Sequence, residues 1–177
     1  MPDFRIAPLN SSPAICAVLG EILVETVASG GSVSFMHPLA PETAESFWQD
    51  SLASADRNER VVLGAFDGDR LIGTVTLLLQ LPPNQPHRAE IAKMMTRVSH
   101  RGRGVAKALM RAAERIAIER GRTLLVLDTA EEDGASELYE RIGCRLTGVI
   151  PDYALKPRGG LTGTMVYWKR LTAADAG

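Results

Sequence analysis

The chain of 177 residues is 45% hydrophobic, enough for one sizeable core, and no composition shift or low-complexity linker divides it, so residues 1–177 read as a single domain with a core of about 3–171. Its 20 basic and 21 acidic side chains nearly cancel, which gives no reason to expect nucleic acid or an anionic membrane as partner. Cys16 and Cys144 stand far apart, without zinc spacing or a histidine cluster, so no metal or redox cofactor is indicated and a reduced, cytoplasmic setting is expected. The start "MPDFRIAPLNSS" lacks a basic and apolar leader, and the apolar run around Ala14 to Ala28 carries Glu21 and Glu25, too short and too acidic for a membrane span.

"DFRIAPL" reads as a short strand, and Pro13 suits the first turn of a helix reaching about Val27, with Ile15, Leu19, Ile22 and Val27 near helical spacing. Glycines and prolines in "ASGGSVSFMHPLAP" break it, and "ETAESFWQDSLASA" resumes a helix to about residue 55, with Trp48 in the core. Two β-branched runs flank Asp67-Gly68-Asp69, where the aspartate-glycine pair supplies a hairpin turn. "RAEIAKMMTRVS" makes a further strand, and Val105, Leu109, Ala112 and Ile116 line one face of a helix ending near Gly121.

"TLLVLDT" is a fully apolar run that enters the sheet parallel to the strand before that helix. "DGASELYERIG" gives a short helix closed by Gly143. "CRLTGVI" and "TGTMVYWKRL" give two closing strands, separated by a loop rich in proline and glycine, with Trp168 in the core. The fold class is mixed α/β (α+β), with a mostly antiparallel sheet containing one parallel pair.

Ligands of open α/β folds gather beyond the carboxyl ends of parallel strands, where this sequence puts "HRGRGVA" (His100 to Ala106) on one side and Asp128 on the other. A helix N-terminus leaves amides unpaired and partly positive, so Gly102 and Gly104 make a phosphate cradle feasible, or they only make a turn with solvated arginines. The lysine and hydroxyl of a Walker loop and the third glycine of the dinucleotide fingerprint are missing. Asp128 ends a buried apolar strand, where an unpaired carboxylate is costly, so it either caps the following loop or serves a ligand. Glu90 is an edge charge or a second ligand carboxylate. Tyr139, beside Leu138 on an apolar helical face, reads as a core residue with its hydroxyl satisfied.

Arg101, Gly104 and Ala106, set between strand and helix, resemble the acyl-CoA pyrophosphate motif of the GNAT superfamily of N-acetyltransferases. "ELYERIGCR" is similar to that family's second motif helix, and the order of elements agrees over about residues 3 to 170. Within it, "ETVASGGSVSFM", "RAEIAKMM", "RGRG" and "LDT" followed by "LY" are similar to the tabtoxin-resistance type. The resemblance implies a six- to seven-stranded sheet flanked by about four helices, with acetyl-CoA as cosubstrate and a small-molecule amine as acceptor. It also implies that amides of Arg101, Gly102, Arg103, Gly104, Val105 and Ala106 hold the pyrophosphate, and that Met94, Met95 and Thr96 pair with the pantetheine arm. Tyr139 would protonate the leaving thiolate, an oxyanion would rest on an amide near Met95, and Asp128 and Glu90 would bind and deprotonate the amine.

The loop between the first two helices would bring Ser32 and Phe35 to the acceptor; His37 in the same loop reads as a surface residue before a base. Val98, Thr96 and Glu132 depart from the common pattern, which has proline, a branched apolar residue and asparagine there. Two other functions stay open: acetylation of a peptide or protein amine, and a non-catalytic acyl-CoA-binding module. Nucleic acid is disfavoured because Glu114 and Glu119 interrupt the basic run of Arg111, Arg115, Arg120 and Arg122. Exposed apolar side chains on a last strand would support a homodimer.

Overall fold

The computed structural model describes residues 4–176, so Asp3, where the expected first strand and core begin, lies outside the described residues. Seven strands, β1 (Arg5–Pro8), β2 (Arg60–Asp67), β3 (Arg70–Leu78), β4 (Arg88–Thr96), β5 (Leu124–Ala130), β6 (Arg145–Leu155) and β7 (Leu161–Arg170), form one sheet in the order β1-β2-β3-β4-β5-β7-β6. Every neighbouring pair is antiparallel except β4 with β5. The long helices are α1 (Pro13–Ala28), α2 (Pro41–Asp56) and α3 (Val105–Glu119), and a short α4 (Ser136–Arg141) follows β5.

Local chemistry accounts for the boundaries. Ser12 accepts a hydrogen bond from the Ile15 amide (3.1 Å) and Pro13 occupies the first turn, so α1 starts where an N-cap and a pre-set φ coincide. Gly68 turns the β2–β3 hairpin at φ +59°. In α3 the apolar positions Val105, Leu109, Met110, Ala113 and Ala117 are buried while Arg111 and Arg115 face water, the expected 3.6-residue stripe.

The helices cover the sheet unequally, and this positions the site. On one face α3 and α4 bury Leu77, Ile91, Leu125, Leu127 and Tyr167. On the other, α1 and α2 bury Val62, Leu71 and Met95, so they lie over β2, β3 and β4. That second face of β5 and β7 stays open, as a hollow of about 490 Å³ lined by His87, Leu124, Val126, Val166, Trp168 and Arg170.

Trp48 is fully buried, whereas Trp168, expected in the core, is half-buried in the open hollow with the Arg145 guanidinium 5.5 Å from its ring centroid. Its position on β7 alternates with Tyr167, which takes the core-facing side. The proline-glycine loop expected after "CRLTGVI" is also shorter: β6 runs on through Pro151 to Leu155, bulging where Asp152 adopts φ +52°. The exposed apolar side chains Leu146, Val149, Ile150, Tyr153 and Leu155 therefore sit on β6, the outer strand, and only Leu161 on the last. No helix among the described residues is long and apolar enough to cross a membrane.

One buried ion pair ties the last strand to α3. Lys169 donates to Glu114 (2.9 Å) and reaches Asp175 (3.2 Å), with side chains of Lys169 and Glu114 only 11% and 5% exposed. Removing one partner strands a buried charge, while replacing both by apolar groups does not. Lys169→Met should cost about 3 kcal/mol in urea unfolding, and Glu114→Met/Lys169→Met should recover most of that loss; a double variant as unstable as the single one would contradict this reading.

Candidate active site

The two strands at the centre of the sheet separate. Parallel pairing of β4 with β5 runs only through Arg88–Leu124, Ala89–Leu125 and Glu90–Val126. Beyond that point β4 continues to Thr96 and β5 to Ala130 with no further bridge between them. The β5-side edge of β4 near Met94, Met95 and Thr96 therefore leaves main-chain groups facing a cleft instead of a neighbour. On its other edge β4 bulges against β3, two residues (Lys93, Met94) standing opposite Val75, and Lys93 takes φ +51°.

At the mouth of this cleft the chain makes a single 3₁₀ turn (Val98–His100), then Gly102 at φ +72° and Gly104 at φ +86° lead into α3. Left-handed backbone at both positions favours glycine, which carries no Cβ penalty there. Nothing among the described residues accepts from the amides of Gly102 through Lys107, and the first bond of α3 is from Ala108 to the Gly104 carbonyl (3.0 Å). Six consecutive donors at a helix N-terminus form a ready anion cradle. The arginines of "RGRG" are held by the protein: Arg101 donates to Ser29 Oγ (2.9 Å) and the Thr96 carbonyl (3.4 Å), while Arg103 lies 3.8 Å from Asp67. The cradle is thus a backbone feature.

Tyr139 projects from α4 into the core beside Tyr167, ring centroids 5.8 Å apart. Tyr167 gives its hydroxyl to Glu140 (3.3 Å), whereas the Tyr139 hydroxyl has no hydrogen-bond partner among the described residues. Burial, and then the negative potential of Cys144, Asp133 and Asp128, pushes the Tyr139 phenol up to about 12. Asp133 closes the same end of the site: its carboxylate accepts from the Ser32 amide (3.2 Å), and burial raises it despite that bond and Arg101.

Asp128 and Glu90 lie on the open face. Asp128 is exposed, not buried as its apolar strand suggested, because it points to the uncovered side; it accepts from Thr164 Oγ1 (2.9 Å). Glu90 is the third residue of β4, ion-paired with Arg88. Since Glu90 pairs with Val126, Asp128 stands two residues further along, about 7 Å. They share a face without touching. Phe35 packs edge-on to Phe47 of α2 (5.3 Å), and the α1–α2 loop meets the sheet side through the Ser32 amide, which donates to Asp133, and the Ser34 hydroxyl, which accepts from Lys93. His37 is exposed, its Nε2 3.5 Å from the Arg158 guanidinium. Glu132, one of the departures from the family pattern, pairs with Lys156 (3.2 Å).

Two side chains here escaped the sequence reading. Thr164 orients Asp128, and Lys93 reaches back over the open face to Ser34 Oγ (3.2 Å). The signal for Lys93 was a charge between Ala92 and Met94 in an apolar strand; nothing local marked Thr164.

Residues 30–144, which include the splayed parallel strands and the glycine turn into α3, match the acetyltransferase (GNAT) family. The chain belongs to that family. It is 34% identical over 86 residues to rat N-acetyltransferase 8F1, a segment covering 48% of this chain and 39% of that protein; the match thus spans about two-fifths of that relative's length. In structure it is similar to an N-acetyltransferase from Staphylococcus aureus Mu50 (TM-score 0.79, 16% identity, 95% of this chain and 99% of that one). A Salmonella typhimurium structure determined with its cofactor acetyl-CoA has a TM-score of 0.74 at 16% identity, covering 95% of each chain. At that identity these likenesses establish the fold.

Keeping Tyr139 and Cys144 protonated links stability to pH. Both are raised in the fold, Tyr139 from 10.0 to about 12 and Cys144 from 9.0 to about 11, chiefly by burial. Their contribution is complete below the unfolded values and is lost as pH climbs through the folded ones. The melting temperature should therefore fall increasingly above about pH 9, and Tyr139→Phe should show a shallower fall above pH 10. Identical slopes would place the Tyr139 ring outside a desolvated site.

Proposed function

We propose that the chain transfers acetyl from acetyl-CoA to the amine of a small molecule. The six unpaired amides from Gly102 to Lys107 beside the β4–β5 cleft carry this reading. They fit the pyrophosphate of a CoA thioester, and the main chain near Met94, Met95 and Thr96 fits its pantetheine arm. Acetyl-CoA supplies an activated acetyl group; the remaining work falls to the protein.

Transfer forms a C–N bond and breaks a C–S bond, so the amine must lose a proton and the departing sulfur must gain one. Asp128, oriented by Thr164, anchors the amine and takes its proton, directly or through water, with Glu90 adding negative charge on the same face. Tyr139, neutral at physiological pH and with its hydroxyl unspent, supplies the proton to the thiolate. An amide on β4 near Met95 stabilises the oxyanion, a donor already fixed by the sheet. Ser32 and Phe35 border the acceptor.

The resemblance to the tabtoxin-resistance type favours a β-lactam amino-acid toxin such as tabtoxinine-β-lactam as acceptor. The apolar side chains exposed along β6 support a homodimer. Thiol release from acetyl-CoA, followed with amino acids, polyamines, aminoglycosides, peptide N-termini and tabtoxinine-β-lactam, should occur with at least one small amine. Tyr139→Phe should lower kcat roughly a hundredfold with acetyl-CoA affinity kept, and Asp128→Asn should raise the acceptor KM roughly tenfold. Release confined to peptides would favour a protein acceptor; binding without release from any amine would leave an acyl-CoA-binding module.

A further inference from the structure

Lys93 is a cation the transfer chemistry has not used. Its backbone sits at φ +51° at the β4 bulge, and Ser34, which accepts its hydrogen bond at 3.2 Å, sits at φ +74°. Left-handed backbone costs free energy in both residues, and such strain persists where the fold holds a side chain in a defined place. The ammonium is half-buried, 5.6 Å from the Phe47 ring centroid, and belongs to no ion pair among the described residues. A partly desolvated cation with no carboxylate in direct contact gains when an anion arrives to meet it.

The neighbouring charges indicate where that anion would lie. Burial lowers the Lys93 ammonium from its ordinary value, the Asp128 carboxylate supports its charge, and the Arg60 guanidinium opposes it. Asp128 is thus near enough to act on the Lys93 charge. Arg88 is paired with Glu90, whereas Arg60 and Lys93 each bond only a serine hydroxyl (Ser51 at 3.2 Å, Ser34 at 3.2 Å); of these two, Lys93 is the one whose charge Asp128 supports. Beside Asp128, the hollow lined by Val126, Val166 and Trp168 has room for an apolar substituent.

We propose that Lys93 recognises an anion on the acceptor, so that the preferred acceptor is a small amine carrying a carboxylate next to its amino group: amine on Asp128, carboxylate on Lys93. This rests on the acetyltransferase reading above and names the substrate class of that site. Acylation itself needs no carboxylate. The amide of an amino acid also loses its amine proton more readily than the free acid, so any preference for the acid must come from binding.

The test is thiol release from acetyl-CoA with L-leucine, L-methionine and L-tryptophan against their amides, for the parent, Lys93→Met and Lys93→Arg, with the acetyl-CoA KM as the check on folding. The parent should show KM values roughly tenfold or more lower for acids than for amides. Lys93→Met should abolish that ratio and Lys93→Arg restore part of it. Amides used as well as acids, or a ratio unchanged in Lys93→Met, would overturn the proposal. So would release with polyamines or aminoglycosides but with no amino acid, an outcome that leaves the acetyltransferase standing. Silence with every amine would overturn the proposal together with the reading beneath it.

Discussion

The arrangement depends on one interrupted hydrogen-bond ladder. β4 and β5 share three residue pairs and then part, and the unpaired length of β4 becomes one wall of a cleft inside the sheet. Interior main-chain groups demand partners, so an interruption of this kind at the centre of a sheet persists where a ligand can supply them. The bulge at Lys93 belongs to the same event, since β4 bends away from β5 while staying paired with β3 on either side, its register shifted by one residue across the bulge.

Charge is divided across this cleft. On the α3 side the donors are fixed amides at a helix N-terminus, suited to a phosphate, and the arginines nearby are tethered to Ser29, Thr96 and Asp67. On the open side Asp128, Glu90 and Lys93 face the space that α1 and α2 leave uncovered. Tyr139 lies in the core on the α3 and α4 side, buried and neutral, where a phenol keeps its proton until a stronger base appears. The low polarity that raises its pKa is the same low polarity that strengthens the other interactions of the site.

Much of this was legible in the chain. Helix and strand periods, Pro13, the Gly68 turn and the strand–glycine–helix order around Gly102 and Gly104 gave the sheet, its parallel pair and the glycine turn into α3, because each rests on local backbone preference. What sequence periodicity misjudged was which faces are covered. Asp128 and Trp168 lie on strands whose alternate residues are core, and they are open because α1 and α2 stop short of β5 and β7. The prolongation of β6 past Pro151 was hidden for a similar reason: pairing with β7 and a bulge at Asp152 override the turn-forming composition. Lys93 stood out locally only as a charge in an apolar strand; where its side chain goes depends on a bulge between β3 and β4, a relation between strands.

The most direct measurement is amide hydrogen exchange of the protein with and without acetyl-CoA, resolved at the cleft. The account predicts slowed exchange in two separate stretches, Gly102 to Lys107 and Met94 to Thr96, as the free donors of the cradle and of β4 acquire partners. Exchange unchanged in both stretches at saturating acetyl-CoA, or protection confined to another part of the sheet, would contradict it.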